Sequence, residues 1–270
     1  MDRYPHSDFE AAISKLPEFI RHVPVINDLP GAGKLGAITG YSYDKLLNCL
    51  LYIQPWNTEL AQDHVLRITQ KQRLDIGAQR FESMKHRIRD GYNLIPGARI
   101  QDRPQHLIVL PKSIHLYTHL VNFGMVSNVI KSTKETVKIK PHPDTTNDIL
   151  EALEKEYPGK VLPKDDALYP YVRAAKKLWI TTQSEVGIAG AFHNKAVDFI
   201  DNQAYKGAVP SLRTLYVGLF NSPVRIGLKD KLIRCLSYPE SGLIPVGTGT
   251  EGEDIRHFFT QYVLHRHVGG

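Results

Sequence analysis

The stretch VKIKPHPDTTNDILEAL, from Val137 to Leu153, joins a strand-like segment directly to a helical one. Residues 136–140 alternate apolar and polar side chains, as a half-buried strand does. Two prolines then bracket His142, fix the backbone there and prevent a helix from starting before the second of them is passed. From Thr145 to Tyr157, apolar side chains recur on one helical face. The stretch is therefore predicted as a strand, a fixed turn that carries a histidine, and a helix.

The same alternation continues on both sides of this stretch. Short apolar runs bounded by proline or polar residues are predicted as strands, and the segments between them as helices. The predicted strands are 106–111, 136–140, 160–163, 178–181 and 195–200, and the predicted helices are 113–131, 145–157, 167–177 and 184–192. Strands and helices that alternate at this spacing form βαβ units and a mostly parallel sheet. The fold class is therefore predicted as α/β, with a Rossmann-like domain.

The rest of the chain predicts two further regions. Residues 1–104 are predicted as a smaller N-terminal α/β lobe, with a core helix at Ser42–Ile53, a strand at Val65–Thr69 and a helix within the charged span Lys71–Arg89. Residues 105–209 form the Rossmann-like lobe, and residues 210–270 a helical C-terminal tail. In that tail, the span 253–267 places its apolar side chains on one helical face.

Composition restricts the class of protein. The chain has 270 residues, of which 42% are hydrophobic and 23% charged, as in ordinary globular proteins. Two cysteines are too few for a disulfide framework. The sequence shows no apolar run of transmembrane length and no signal peptide, so we expect a cytoplasmic protein. A net charge of +6 and a pI of about 9.1 favour an anionic partner such as a nucleotide, a nucleic acid or an acidic polysaccharide.

One glycine-rich segment resembles a phosphate-binding loop without matching it. LPGAGKLG, residues 29–36, contains the Gly-Lys pair of that loop. A P-loop needs glycine where Asp28 stands and serine or threonine where Leu35 stands. A P-loop NTPase is therefore excluded, and the segment is either a turn that admits a ligand to the backbone or a purely structural turn.

Two segments at predicted strand ends are candidate anion sites. His142 follows the strand 136–140, and ligands bind at the carboxyl ends of strands in open α/β sheets. An imidazole there can donate to a phosphate oxygen, or it can simply cap a turn. Thr181–Ser184 lies at the end of another predicted strand, 178–181, and at the start of a helix, whose free N–H groups attract anions or are capped by Ser184. Gly187 and Gly190 would let that helix pack closely on the sheet or a ligand.

The order of these motifs resembles one family of enzymes. KPHP (140–143), a helix, a short strand and a second helix precede TTQS-x-x-G (181–187) and K-AV-DF-IDN-x-x-Y-x-G (195–207). This order is similar to the C-terminal donor domain of GT-B-like glycosyltransferases, namely capsule-type Kdo transferases and, more distantly, bacterial sialyltransferases. The resemblance implies two Rossmann-like lobes, the N-terminal one reduced, and no metal or other cofactor, the nucleotide-sugar being the substrate. The residues it implies for donor binding are Lys140, His142, Pro143, Thr182, Ser184 and Gly187, with Tyr205 in a packing or sugar-adjacent role.

Those families also carry an acidic-Asp-Gly motif that supplies a carboxylate at the reacting centre. RDGYN (89–93) is the nearest match, so the resemblance implies Asp90 as the general base, with Asp102 and Asp28 as reserves. The chain departs from the family at Arg89, where an acidic residue is usual. It departs again at Ala189, where the family has a glutamate that contacts the nucleotide ribose.

The predicted function is transfer of a sugar from a nucleotide-activated donor to a hydroxyl, with His142 as a catalytic group beside Asp90. The acceptor is either a glycan or a hydroxymethylated base in DNA, the second implying a phage enzyme in the host cytoplasm. The basic run of Lys71–Arg89 is either a polyanion-binding face or a solvated helix face. The alternatives are a non-catalytic nucleic-acid-binding protein, and a nucleotide-sugar epimerase or hydrolase on the same scaffold.

Overall fold

In the computed structural model, the chain forms two compact units. The first comprises Met1–Ile88 and Gly207–Gly270, and the second comprises Arg89–Lys206. The structure describes residues 6–15, 41–55, 58–92, 103–112, 121–201, 212–220 and 222–268. The sequence predicts boundaries at 104 and 209. In the structure, residues 207–270 belong to the same unit as residues 1–88.

Helices and strands of the described residues follow one another in a mixed α/β order. Within the first 92 residues they are α1 His6–Ser14, β1 Tyr41–Leu46, β2 Leu50–Pro55, α2 Thr58–Gln70 and α3 Asp75–Tyr92. Next come β3 His106–Val109, α4 Phe123–Lys131, β4 Val137–Lys140, α5 Asn147–Glu156, α6 Leu168–Ala174, β5 Lys177–Ile180, α7 Val186–Phe192 and β6 Ala196–Phe199. The C-terminal elements are α8 Arg213–Phe220, α9 Leu228–Ser237, a 3₁₀ turn Pro239–Ser241, β7 Leu243–Pro245 and α10 Glu251–Val268.

The second unit is built on a four-stranded parallel sheet in the order β4-β3-β5-β6. The chain moves from β3 to β4 on one side, then crosses β3 to reach β5 on the other. Buried apolar side chains of the strands, including Ile108 and Ile139, pack with Val126 of α4 and Leu153 of α5 in one core cluster. The predicted parallel α/β sheet is therefore confirmed.

Two predicted elements of this unit have different extents. The predicted strand 160–163 is reduced to an isolated bridge between Val161 and Ile139. The predicted helix 113–131 is observed as α4 alone, because Asn122 accepts the N–H of Met125 at 3.0 Å and caps the helix there. Residues 113–120 lie outside the described part of the chain. The other predicted strands and helices of residues 105–200 appear within a few residues of their predicted bounds.

The first unit contains an antiparallel sheet in the order β1-β2-β7. The predicted core helix at Ser42–Ile53 is wrong: the segment is a hairpin whose turn holds Leu47 and Asn48 at positive φ. Every residue of β2 is buried, so the strand lacks the alternation of apolar and polar residues that marks a half-buried strand. A leucine-rich segment without that period is easily mistaken for a helix.

The predicted strand at Val65–Thr69 is also wrong, because these residues belong to α2. Ala61, Val65 and Ile68 are all buried, and their spacing of four and three residues places them on one helical face. Helical packing therefore overrides the β preference of the branched side chains. The helices predicted within Lys71–Arg89 and within 253–267 are confirmed as α3 and α10. No helix of the described residues has the length and apolar content needed to span a membrane.

His64 gives the first unit a predictable response to pH. Its ring is 8% exposed, and its Nε2–H donates to the backbone carbonyl of Glu240. Burial lowers the pKa of His64, an effect that Arg67 and Lys71 strengthen and that Glu240 opposes. The unfolded chain therefore binds more protons than the folded one between the two pKa values, and stability is lost as pH falls below about 6.5.

We expect the melting temperature to decrease between pH 7 and pH 5, and His64→Gln to reduce that decrease. Glutamine does not titrate, and its amide can still donate to the carbonyl of Glu240. The measurement is thermal unfolding at several pH values. His86→Gln, at an exposed histidine of α3, is the control and should leave the pH dependence unchanged. An identical pH dependence for His64→Gln and the wild type would contradict this assignment.

Candidate functional site

The carboxyl ends of the parallel strands all lie at one edge of the sheet in the second unit. Because connections leave β3 and β5 in opposite directions, this edge contains a topological switch point, where ligands bind in open α/β sheets. The turns that follow β3, β4, β5 and β6 carry Lys112, His142, Thr182 and Asp201, respectively. These four side chains form the candidate site described below.

His142 is held in one orientation by its own turn. The backbone N–H of Asp144 donates to Nδ1 of His142 at 3.1 Å, and the N–H of Thr145 donates to the carbonyl of His142 at 3.0 Å. In the neutral imidazole, the proton therefore resides on Nε2, which becomes the donor. Burial lowers the pKa of His142, Asp144 opposes that effect, and Lys112 and Lys140 strengthen it. The half-buried ring is thus a neutral Nε2–H donor near pH 7.

Asp144 links the turn after β4 to the turn after β3. Its carboxylate lies 2.9 Å from the amine of Lys112, and that hydrogen bond and charge lower the pKa of Asp144. The same carboxylate oxygen lies 3.9 Å from Nδ1 of His142. The positive charge of Lys164 acts on it as well. An anion therefore sits among cationic and imidazole groups beside the start of α5.

Lys140 and Pro143 shape this turn. The side chain of Lys140 is buried, and its amine donates to the carbonyls of Pro141 at 3.1 Å and of Lys164 at 2.6 Å. Burial lowers the pKa of Lys140, while Asp166 and Asp165 raise it. The amine therefore ties the turn to the segment that precedes α6. Pro143 is exposed, and its ring restricts the backbone beside His142.

The turn after β5 is held by a carboxylate from the turn after β6. Both the N–H and the hydroxyl of Thr182 donate to one carboxylate oxygen of Asp201, at 2.8 and 2.6 Å. The other oxygen of Asp201 is buried and has no hydrogen-bond partner among the residues that the structure describes. Asp201 is not among the residues predicted from the sequence, although it stands in the IDN segment directly after a predicted strand. The signal that finds it is its position at a strand end.

Ser184 and Gly187 belong to the start of α7. The N–H of Ser184 donates to the carbonyl of Thr181 at 3.0 Å, and its hydroxyl accepts the N–H of Val186 at 3.4 Å. Gly187 is buried, as is the rest of α7. A Cβ at Gly190 would lie 2.7 Å from Cδ1 of Leu178, so this helix does pack closely on β5.

Several predicted residues are not brought to this edge by the described structure. Asp90 lies near the end of α3, and its side chain lies outside the described part of the chain. Asp28, Asp102, Tyr205 and the glycine-rich segment 29–36 also lie outside it. Among the residues whose positions are described, no group of three or more His, Cys, Asp or Glu side chains is arranged to hold a metal.

The basic run Lys71–Arg89 makes internal contacts in the first unit. Lys71 pairs with Glu240 at 2.7 Å, Arg73 with Asp230 at 3.3 Å, and Arg80 with Asp254 at 2.6 Å. The guanidinium of Arg87 donates to the carbonyl of Val246. Charges that are already neutralised within the unit attract a polyanion less. The largely buried pair of Arg80 and Asp254 indicates a structural role for that arginine.

Comparison with known proteins gives a distant structural similarity. No protein-family model matches the chain, and no curated protein matches it with statistical significance. Among solved structures it is similar to Thermosulfurimonas dismutans KpsC, a beta Kdo 2,7 transferase. The TM-score is 0.42 and the sequence identity 14%, over 75% of this chain and 79% of that one. Similarity of this degree transfers no residue roles, so a function for this chain rests on its own site.

Proposed function

We propose that the chain is a glycosyltransferase that binds a nucleotide-activated sugar at the carboxyl edge of the parallel sheet. The observation that carries the proposal is His142, whose Nδ1 accepts a backbone N–H so that Nε2–H is left to donate. A neutral imidazole fixed at this edge already carries its proton on Nε2 and can donate a hydrogen bond to a phosphate oxygen. The order of the KPHP and TTQS motifs, which resembles glycosyltransferase donor domains, supports the same function.

In the proposed reaction, the bond between the anomeric carbon and the phosphate oxygen of the donor breaks. Its electron pair remains on the leaving phosphate, where Nε2–H of His142 stabilises the developing charge. The hydroxyl oxygen of the acceptor bonds to the anomeric carbon, and its proton passes to a carboxylate, for which Asp90 is the candidate. Thr182, Ser184 and Gly187 are proposed to shape the nucleotide side of the site. Lys140 and Pro143 are proposed to hold His142 in position.

Binding measurements are needed to identify the donor nucleotide and the acceptor. The acceptor is a hydroxyl of a glycan or of a hydroxymethylated base in DNA. The pairing of Arg80 with the largely buried carboxylate of Asp254 favours the glycan, since a cation held in this way is less available to displace counterions from DNA. Cytoplasmic location is proposed together with this function.

The test is a thermal-shift screen with CMP, UDP, GDP and their sugar conjugates, in the presence and absence of double-stranded DNA. We expect at least one nucleotide to raise the melting temperature of the wild type, because a ligand that binds only the folded state stabilises it. His142→Ala should lose most of that increase.

His86→Ala, at an exposed histidine of α3, is the matched control and should keep the full increase. Stabilisation by DNA alone, equal in wild type and His142→Ala, would instead support a nucleic-acid-binding protein. Stabilisation by no nucleotide at millimolar concentration would overturn the proposed function.

A further inference from the structure

We propose that Lys112 binds the phosphate of the donor, and that the carboxylate of Asp144 occupies that phosphate position in the free protein. This inference rests on the proposed function and extends it to a residue that sequence analysis did not select. Lys112 follows β3, the strand between β4 and β5. It therefore stands between the turn of His142 and the turn of Thr182, at the switch point of the sheet.

The pair formed by Lys112 and Asp144 is exposed and exchangeable. The two charged atoms are 2.9 Å apart, and the side chains are 69% and 55% exposed. Exposed ion pairs contribute little to stability, since water solvates both partners well when they separate. An incoming anion can therefore replace the carboxylate of Asp144 at low cost.

The other lysines near this turn have different partners. The amine of Lys140 is buried and donates to two backbone carbonyls. The amine of Lys164 lies 3.3 Å from the carbonyl of Thr145 and 3.5 Å from the side-chain oxygen of Asn147. Both stabilise the local backbone. Lys112 instead pairs with an exposed carboxylate, and a carboxylate and a phosphate oxygen accept the same charge-assisted hydrogen bonds.

The exchange leaves His142 in place. The backbone N–H of Asp144 holds Nδ1 of His142, whereas the carboxylate of Asp144 holds Lys112. Because the two groups of Asp144 have separate partners, its side chain can rotate away while the imidazole keeps its orientation. One phosphate oxygen would then take the vacated position at Lys112 and another would reach Nε2–H of His142, beside the start of α5, whose ten residues favour an anion at that end.

Two substitutions distinguish this role from a purely structural ion pair. Lys112→Met and Asp144→Asn remove the same ion pair, and asparagine retains the backbone N–H that holds His142. If the pair only stabilises the fold, both variants lose a similar small amount of stability and neither changes ligand affinity. If Lys112 binds phosphate, the two substitutions change affinity in opposite directions.

We expect Lys112→Met to weaken binding about tenfold, because a hydrogen bond to a charged group is lost. We expect Asp144→Asn to strengthen binding about two- to fivefold, because the competing carboxylate is removed. Affinity is measured by isothermal titration calorimetry with inorganic phosphate and, separately, with CMP, UDP and GDP. Lys134→Met and Glu154→Gln, at exposed positions in the same unit, change the net charge equally and should leave affinity unchanged.

The outcomes separate this inference from the proposed function. Opposite effects on both phosphate and a nucleotide support both. Opposite effects on phosphate, with no nucleotide bound, support the anion site and overturn the proposed function. A nucleotide that binds the wild type, depends on His142 and is unaffected by Lys112→Met and Asp144→Asn overturns the inference and leaves the proposed function standing. Effects of the same sign in both variants also overturn the inference.

Discussion

His142→Ala is expected to lower the rate of sugar transfer by about 10²–10³-fold, which corresponds to about 3–4 kcal/mol of transition-state stabilisation. The imidazole is the group whose proton is fixed on Nε2 by a backbone donor, and charge develops on the leaving phosphate that this proton would contact. Alanine removes that donor and leaves the turn, whose backbone is fixed by the flanking prolines. The rate is measured as nucleotide released from the donor in the presence of an acceptor, above the rate without one.

Three further measurements make this result specific. The melting temperature of His142→Ala without ligand should match the wild type within a few degrees, because the half-buried ring contributes little to the core. His86→Ala should transfer at the rate of the wild type. Equal nucleotide release with and without acceptor in the wild type would indicate a hydrolase or an epimerase. Unchanged transfer by His142→Ala would contradict the proposed role of the imidazole.

Gly242→Ala is expected to destabilise the first unit by about 3–5 kcal/mol. Gly242 has φ of +77°, and a Cβ there would lie 1.9 Å from the backbone oxygen of Ile53. Its own carbonyl accepts the N–H of Ile53 at 2.9 Å, at the start of the pairing between β2 and β7. A methyl group therefore displaces backbone rather than a flexible side chain. The measurement is urea unfolding followed by circular dichroism.

Gly249→Ala separates the two causes of that loss. Gly249 also has positive φ, +83°, but no atom lies within 4 Å of a Cβ built there. Its substitution tests the conformational cost alone, which is about 1 kcal/mol. If both variants lose the same free energy of unfolding, the close approach to Ile53 is not what requires glycine at residue 242.

The sequence predicted the second unit well because its local patterns agree with its tertiary structure. Short apolar strands are separated by helices long enough to form βαβ units. The two prolines exclude a helix around His142, so the segment can only be a turn. The first unit was predicted poorly at β1, β2 and α2. A strand buried on both faces carries no alternation, and its partner β7 follows about 190 residues later in the chain, so no local pattern reveals the pairing.

Some residues of the candidate site can be identified from the sequence, and others only from the structure. His142, Thr182 and Ser184 are identifiable because motifs and strand ends coincide in the sequence. Lys112 and Asp201 are identified by their partners, Asp144 and Thr182, and those contacts depend on the order β4-β3-β5-β6 rather than on sequence spacing. Lys140 belongs to the KPHP motif and is therefore predicted to bind the donor. Its buried amine instead donates to two backbone carbonyls, which the motif alone does not reveal.

The most direct test of the central claim is nitrogen-15 NMR of the His142 imidazole during titration with the nucleotide that stabilises the protein most. Assignment comes from the signal that disappears in His142→Ala. The account predicts a neutral ring protonated on Nε2 in the free protein at pH 7, and an Nε2 signal that moves on binding and saturates with the thermal shift. A nucleotide that stabilises the protein while both nitrogen signals of His142 stay unchanged would contradict it.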